Sequence, residues 1–137
     1  LNPFDHLKQL KTLLVDDDEF IRNALELAFK TKGCALHVVQ SAEEGMQALK
    51  DQPFDIIISD LRLPGVNGLD FLKLTGVTHP NAIRFLITAY RDDRILAKAI
   101  RSGIDQLIDK PFVIDALVHL LALAVKRQNK NRPTNNP

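Results

Sequence analysis

Short apolar runs alternate along this chain with longer segments in which apolar residues recur every three or four positions. The short runs cover residues 12–15, 36–39, 56–59, 83–88 and 106–108 and read as five strands. The periodic segments near 19–31, 42–50, 68–75, 92–102 and 113–127 read as amphipathic helices. Ser41 and Glu44 open the second helix as a capping box, the hydroxyl taking the Glu44 amide while the carboxylate reaches back. Strand followed by helix, repeated five times, predicts an α/β fold: a parallel sheet with right-handed crossovers and helices on both faces. In the third strand Ile56, Ile57 and Ile58 run without alternation, as a strand covered on both faces requires.

Length and composition narrow this picture. The 137 residues suffice for one domain with a core that needs no disulfide or structural metal. Residues 11–127 are expected to form it, after an N-terminal extension (1–10) and before a polar tail or linker (128–137). Hydrophobic residues make up 45% and charged residues 26%, which excludes a mostly disordered chain. A net charge of +1 leaves no footprint for direct nucleic-acid or membrane binding. Cys34 has no partner thiol, and His6, His37, His79 and His119 are too scattered for a zinc set. With no long apolar run and no signal-peptide pattern, a cytoplasmic location is expected.

A parallel sheet of this kind places its ligand at the carboxyl ends of its strands. Those ends carry Asp16, Asp17 and Asp18 after the first strand, Asp60 after the third, Thr88 at the end of the fourth and Lys110 just after the fifth. If the first strand lies beside the third, with the fourth and fifth beyond it, a spacing of about 4.8 Å puts the acidic pair one strand from Asp60 and Lys110 roughly 10 Å away. A lysine side chain can cover much of that gap. Converging carboxylates repel each other, so either one protonates or a cation joins them. Ligands that are all oxygen select a hard ion such as Mg2+, which keeps waters that phosphate oxygens can replace. Asp60, in the middle, is then placed to attack phosphorus, with Lys110 and the Thr88 hydroxyl neutralising and binding the transferred group.

Taken singly, these residues have plainer readings. Asp18 suits a helix N-cap better than a metal ligand, Thr88 is an ordinary strand residue, Lys110 an ordinary surface lysine, and Asp60 before Pro64 and Gly65 an ordinary turn residue. The joint pattern separates them from those readings.

The segments Leu14-Val15-Asp16-Asp17-Asp18, Asp60-Leu61-Arg62-Leu63-Pro64-Gly65-Val66-Asn67-Gly68, Leu86-Ile87-Thr88-Ala89 and Asp109-Lys110-Pro111-Phe112 together resemble the receiver domains of two-component response regulators, over about residues 11–127. The resemblance implies a flavodoxin-like sheet in the order 2-1-3-4-5, with Asp60 as phosphoacceptor. It also implies Mg2+ on Asp16, Asp17, Asp60 and the Arg62 backbone carbonyl, with Thr88 and Lys110 on the phosphoryl group and a Lys110–Pro111 bond that is commonly cis. The implied donor is a histidine kinase or a histidine phosphotransfer protein. Arg62 and Tyr90 occupy the positions that flank the phosphoryl group in that family, where they would tune its lifetime.

Two departures stand out. Leu107 occupies the position, three before the lysine, where the family usually has a switching Tyr or Phe, and the last helix carries no Lys or Arg before Lys126. That helix is apolar around much of its circumference, so it is either deeply buried or docks a partner, and the surplus of apolar area favours a homodimer or effector-domain contact through the face of the last two helices. The competing enzyme reading is a phosphatase resembling the haloacid dehalogenases, since Asp16 and Asp18 satisfy their Asp-x-Asp. Against it, Phe20 stands where a small residue is expected and no acidic pair follows Lys110. A module of the same shape that only docks would have no use for the full acidic set, and three aspartates would repel a flavin phosphate.

Overall fold

The computed structural model of the chain describes residues 2–131. A short 3-10 helix, Pro3–His6, precedes β1 (Lys11–Val15), α1 (Glu19–Thr31), β2 (Ala35–Val39), α2 (Ala42–Asp51) and β3 (Ile56–Asp60). These are followed by α3 (Gly68–Thr78), β4 (Ile83–Thr88), α4 (Asp93–Arg101), β5 (Gln106–Asp109) and α5 (Ile114–Asn131). The five strands are parallel in the order 2-1-3-4-5. This is the flavodoxin-like three-layer arrangement that the strand–helix alternation and the resemblance predict.

Burial follows from position in the sheet. Every residue of β3 and β4 is buried, whereas the edge strand β2 alternates. One apolar layer joins Leu14, Ile56, Ile58, Phe85 and Ile87 to α1 and α5. The other joins Leu13, Val15, Ile57, Leu86 and Leu107 to α2, α3 and α4. At about 1.5–3 kcal/mol for each large apolar side chain fully buried, these two layers supply most of the drive to fold.

Helices α1 to α4 each begin where the sequence offers a cap. Asp18 accepts the Phe20 amide at 2.9 Å, the Ser41 hydroxyl the Glu44 amide at 3.2 Å, Asn67 the Asp70 amide at 2.9 Å and Asp92 the Ile95 amide at 2.8 Å. The capping box at Ser41 is complete, since the Glu44 carboxylate accepts the Gln40 amide at 2.9 Å. Asp18 is therefore occupied as a cap, as its residue type favours.

Element bounds differ mainly at two helices. α3 runs on to Thr78, and α5 continues through residues 128–131, where a polar tail was expected; residues 132–137 lie outside the described residues. Polar residues in the last turns of a helix cost little when one face still packs, and Gln128 bonds the Asn81 carbonyl at 2.6 Å.

The apolar surplus expected on α5 is not exposed. Leu117, Val118, Leu121, Ala122 and Val125 are buried, and no large hydrophobic side chain of α5 stands among the exposed ones. Extra cover comes from the N-terminal segment, whose Phe4 meets the Phe29 ring edge-on at 5.5 Å and joins Leu7 in the same layer as α5. The periodicity of α5 alone could not reveal a lid supplied by residues more than a hundred positions away.

Candidate functional site

Register brings the polar strand ends to one edge. Val15 pairs with Ser59, Asp60 with Ile87 and Thr88 with Asp109, so Asp16, Asp60, Thr88 and Lys110 all fall at the carboxyl edge of the four strands β1, β3, β4 and β5. The loop after β3 is drawn tight over this edge. Gly65 takes φ of +79°, and the Gly68 amide donates to the Leu61 carbonyl at 2.8 Å. A Cβ on Gly68 would stand 1.7 Å from the Asp60 carbonyl oxygen, so only glycine lets α3 start against the acceptor strand. In the sequence Gly68 was legible only as the start of the third helix and the last residue of the Asp60–Gly68 segment. Its closeness to Asp60 depends on where α3 lies.

Lys110 is the centre of charge. Its Nζ lies 3.0 Å from Asp60 Oδ2 and 3.5 Å from Asp16 Oδ2, so one ammonium faces two carboxylates. Asp16, Asp17 and Asp60 each offer an oxygen within 4.8 Å of the others. Asp16 is fully buried, and although its Oδ1 accepts the Asp18 amide at 2.9 Å, its Oδ2 makes no hydrogen bond, the ammonium being too far for a good one. Burial, aided by the Asp60 charge, pushes the Asp16 carboxyl up to about 6. Burial also raises Asp60, against the opposing pull of Lys110 and the Arg62 amide. Burial works against the Lys110 ammonium too, but the bond to Asp60 and the charges of Asp16 and Asp60 outweigh it and its pKa is raised.

Three carboxylates facing one ammonium leave a surplus of negative charge, and an orphaned buried oxygen points into it. That donor set is all oxygen and fits a hard divalent cation. Arg62 lies two residues after Asp60, and its guanidinium stacks on the Tyr90 ring, 4.4 Å from the centroid. Thr88 is buried, and its Oγ1 accepts the Tyr90 amide at 2.9 Å, which leaves its own proton free to donate elsewhere. The structure thus brings Asp16, Asp17, Asp60 and Lys110 into one cluster, with Thr88 ending the strand beside Asp60. The Lys110–Pro111 peptide is cis.

Beside the cluster lies an apolar hollow lined by Phe20, Ile21, Ala24, Pro111 and Phe112. Phe20 is 80% exposed at its rim and Val113 is 68% exposed nearby in sequence. Sequence reading registered Phe20 only as a mismatch to a phosphatase motif, because nothing local shows that α1 and the loop after β5 share a surface.

Residues 12–122 match the response regulator receiver domain family. The chain is 34% identical over 129 residues to the DNA-binding transcriptional regulator NtrC of Klebsiella pneumoniae, and 36% identical over 122 residues to the hydrogenase transcriptional regulatory protein HoxA of Cupriavidus necator. These alignments cover 90% and 88% of this chain but 28% and 25% of those proteins, so the chain spans about a quarter of their length. The signal receiver domain of an HD domain-containing protein from Pseudomonas fluorescens superposes with a TM-score of 0.82 at 30% identity, covering 90% of this chain and 91% of that one. A CheY-like receiver domain protein from Methanospirillum hungatei shares the fold, with a TM-score of 0.85 at 23% identity over 90% of this chain and 99% of that one. By its sequence match, its strand order and its convergent strand ends, this chain belongs to the receiver domains of two-component response regulators, which are signalling proteins.

Proposed function

We propose that the domain accepts a phosphoryl group on Asp60 in a Mg2+-dependent transfer from a histidine kinase or a histidine phosphotransfer protein. The observation that carries this reading is the single Lys110 ammonium set between the buried Asp60 and Asp16 carboxylates. Asp16, Asp17, Asp60 and the Arg62 backbone carbonyl would hold the Mg2+, whose charge offsets that of the carboxylates and of the phosphoryl oxygens.

In the transfer, an unprotonated Asp60 oxygen attacks phosphorus on the donor's phosphohistidine. The new P–O bond forms as the P–N bond breaks and the imidazole leaves with the bonding pair. Lys110 binds an equatorial oxygen through its ammonium and Thr88 donates its hydroxyl proton to another, so most of the rate comes from placement and charge. Water later attacks the same phosphorus and returns the carboxylate and inorganic phosphate. The chain catalyses these steps on itself rather than turning over a separate substrate. The apolar hollow beside the cluster, with Phe20 at its rim, offers the donor a surface close to Asp60.

Phosphorylation would act on an effector domain or a second copy through the α4–β5–α5 side. With α5 covered, the exposed apolar group on the helices of that side is Ile100, 68% exposed. A small phosphodonor with Mg2+, followed by intact-mass and peptide-mapping mass spectrometry, tests the reading. One phosphoryl group on Asp60, lost in Asp60→Asn, is the expected result; retention in Asp60→Asn with loss in Asp16→Asn would point instead to a phosphatase-like nucleophile.

A further inference from the structure

Arg91, in the loop between β4 and α4, forms no hydrogen bond or ion pair with Asp60 or Lys110, yet it makes two well-formed hydrogen bonds. Its Nε donates to Asp109 Oδ1 at 2.9 Å and a terminal nitrogen donates to the Leu107 carbonyl at 3.1 Å. β5 is the sheet's edge strand. Because the Lys110 amide donates inward to the Thr88 carbonyl at 2.8 Å, alternation along the strand turns the Leu107 carbonyl outward, onto the open edge. The loop is therefore fastened around the far side of β5, and one of its two anchors is backbone.

The same loop carries the groups that must respond to a phosphoryl group. The Tyr90 amide holds Thr88 Oγ1 at 2.9 Å, and the Tyr90 ring stays outside, 59% exposed. A phosphorylated Asp60 would draw the Thr88 hydroxyl, and the loop behind it, toward β3. Arg91 pulls the other way, toward the outer edge of β5. At Leu107 the side chain is 6% exposed and packed in the apolar layer facing α4, so no ring is available there to swing inward.

We propose that Arg91, bound to Asp109 and to the Leu107 carbonyl, is a latch that holds the β4–α4 loop in its unphosphorylated position, and that the latch opens as the phosphoryl group recruits Thr88. The inference rests on Asp60 being the phosphoacceptor. Side chains 40% and 58% exposed make a weak pair, so the latch biases the two loop positions by a small factor rather than locking one. Arg91 is a positioning residue, with no contact to the reacting atoms.

Titration of the whole chain with beryllofluoride, a phosphoryl mimic, in the presence of Mg2+ tests this, with amide resonances of residues 88–91 followed by NMR. Wild type should bind, and Asp60→Asn should not. Arg91→Ala should bind about threefold more tightly, Asp109→Ala more tightly by less because the Leu107 carbonyl still holds Arg91, and the double variant no more tightly than Arg91→Ala. In the unliganded variants the Tyr90 amide should move part of the way along the line joining the free and bound wild-type positions, with Arg91→Lys in between. A purely structural contact would lower thermal stability without that displacement. Unchanged or weaker binding in the single variants, or effects that add in the double, would overturn the latch while leaving Asp60 as acceptor. Failure of wild type to bind would overturn both.

Discussion

The two ends of β4 bury charge in opposite ways. At its amino end the Arg84 guanidinium is threaded between α3 and the turn after α4, donating to the Gly103 carbonyl at 3.0 Å and, more weakly, to the Leu72 carbonyl at 3.5 Å. Room for it comes from glycines: a Cβ on Gly76 would lie 1.9 Å from a terminal nitrogen of Arg84. At the carboxyl end, Thr88 closes a pocket where Asp16 and Asp60 are buried side by side with Lys110. Neutral carbonyls take both terminal nitrogens of Arg84, while its Nε is buried without a partner, and the side chain ties α3 to the turn after α4. The carboxylate edge holds a charge conflict that the chain does not resolve internally. Burial of charge is structural where the fold satisfies it and functional where the fold leaves it in excess.

The largest expected effect is at Lys110. Lys110→Ala removes the ammonium that faces Asp60 and should slow phosphoryl incorporation by about a hundredfold or more, as loss of one preorganised charge partner does, measured by mass spectrometry with a small phosphodonor and Mg2+. A variant within a fewfold of wild type would erase the contrast between the two ends.

Arg84→Met should do the reverse. Leaving two carbonyls without their donor should cost about 1–3 kcal/mol in urea denaturation, while incorporation at Asp60 stays close to wild type. Lost incorporation in a folded Arg84→Met protein would show that the ends are coupled.

The acidic edge should also declare itself in the pH dependence of stability. Asp16 is raised to about 6 and Asp60 is raised as well, so without Mg2+ both hold protons more tightly folded than unfolded. Their contribution therefore improves as pH falls from neutrality through about 6 and is least favourable above it. The raised Lys110 works at the alkaline side: its stabilisation is present below its unfolded pKa of 10.5 and is lost as pH rises above that. Mg2+ at pH 7.5 should raise Tm by a few degrees and flatten the acidic-side trend, as about 1 kcal/mol of stabilisation does in a domain of this size, read by calorimetry. Tm that falls on acidification to pH 6 without Mg2+ would contradict this.

The smallest effect is expected where Arg62 stacks on Tyr90 at 4.4 Å. Arg62→Ala or Tyr90→Ala should change the lifetime of the phosphorylated form by a fewfold with little change in its formation, consistent with about 0.5–1 kcal/mol for an exposed cation–π pair. Equal lifetimes in both variants would remove these residues from the control of hydrolysis.

Much of this was legible from local pattern. Strand–helix alternation predicted the parallel sheet, the run Ile56–Ile58 its buried centre and Ser41 with Glu44 a helix start, because period, propensity and capping act between residues a few positions apart. Asp16, Asp17, Asp60, Thr88 and Lys110 stood out together because a parallel sheet sends every strand end to one edge. Leu107 was legible as a departure, but not Arg91 as its neighbour in space.

Other features required segments far apart in the chain to meet. The apolar stripe of α5 reads the same whether it faces solvent or is covered, and Phe4 and Leu7 decide which. Arg84 reads as a surface arginine in a strand until Gly76 and Gly103 make a slot for it. The upward shift of Asp16 arises from burial beneath neighbouring loops and from Asp60, forty-four positions on. Local chemistry names the elements and the reactive side chains; their surroundings, and hence charge state and exposure, depend on which distant surfaces the packed layers press together.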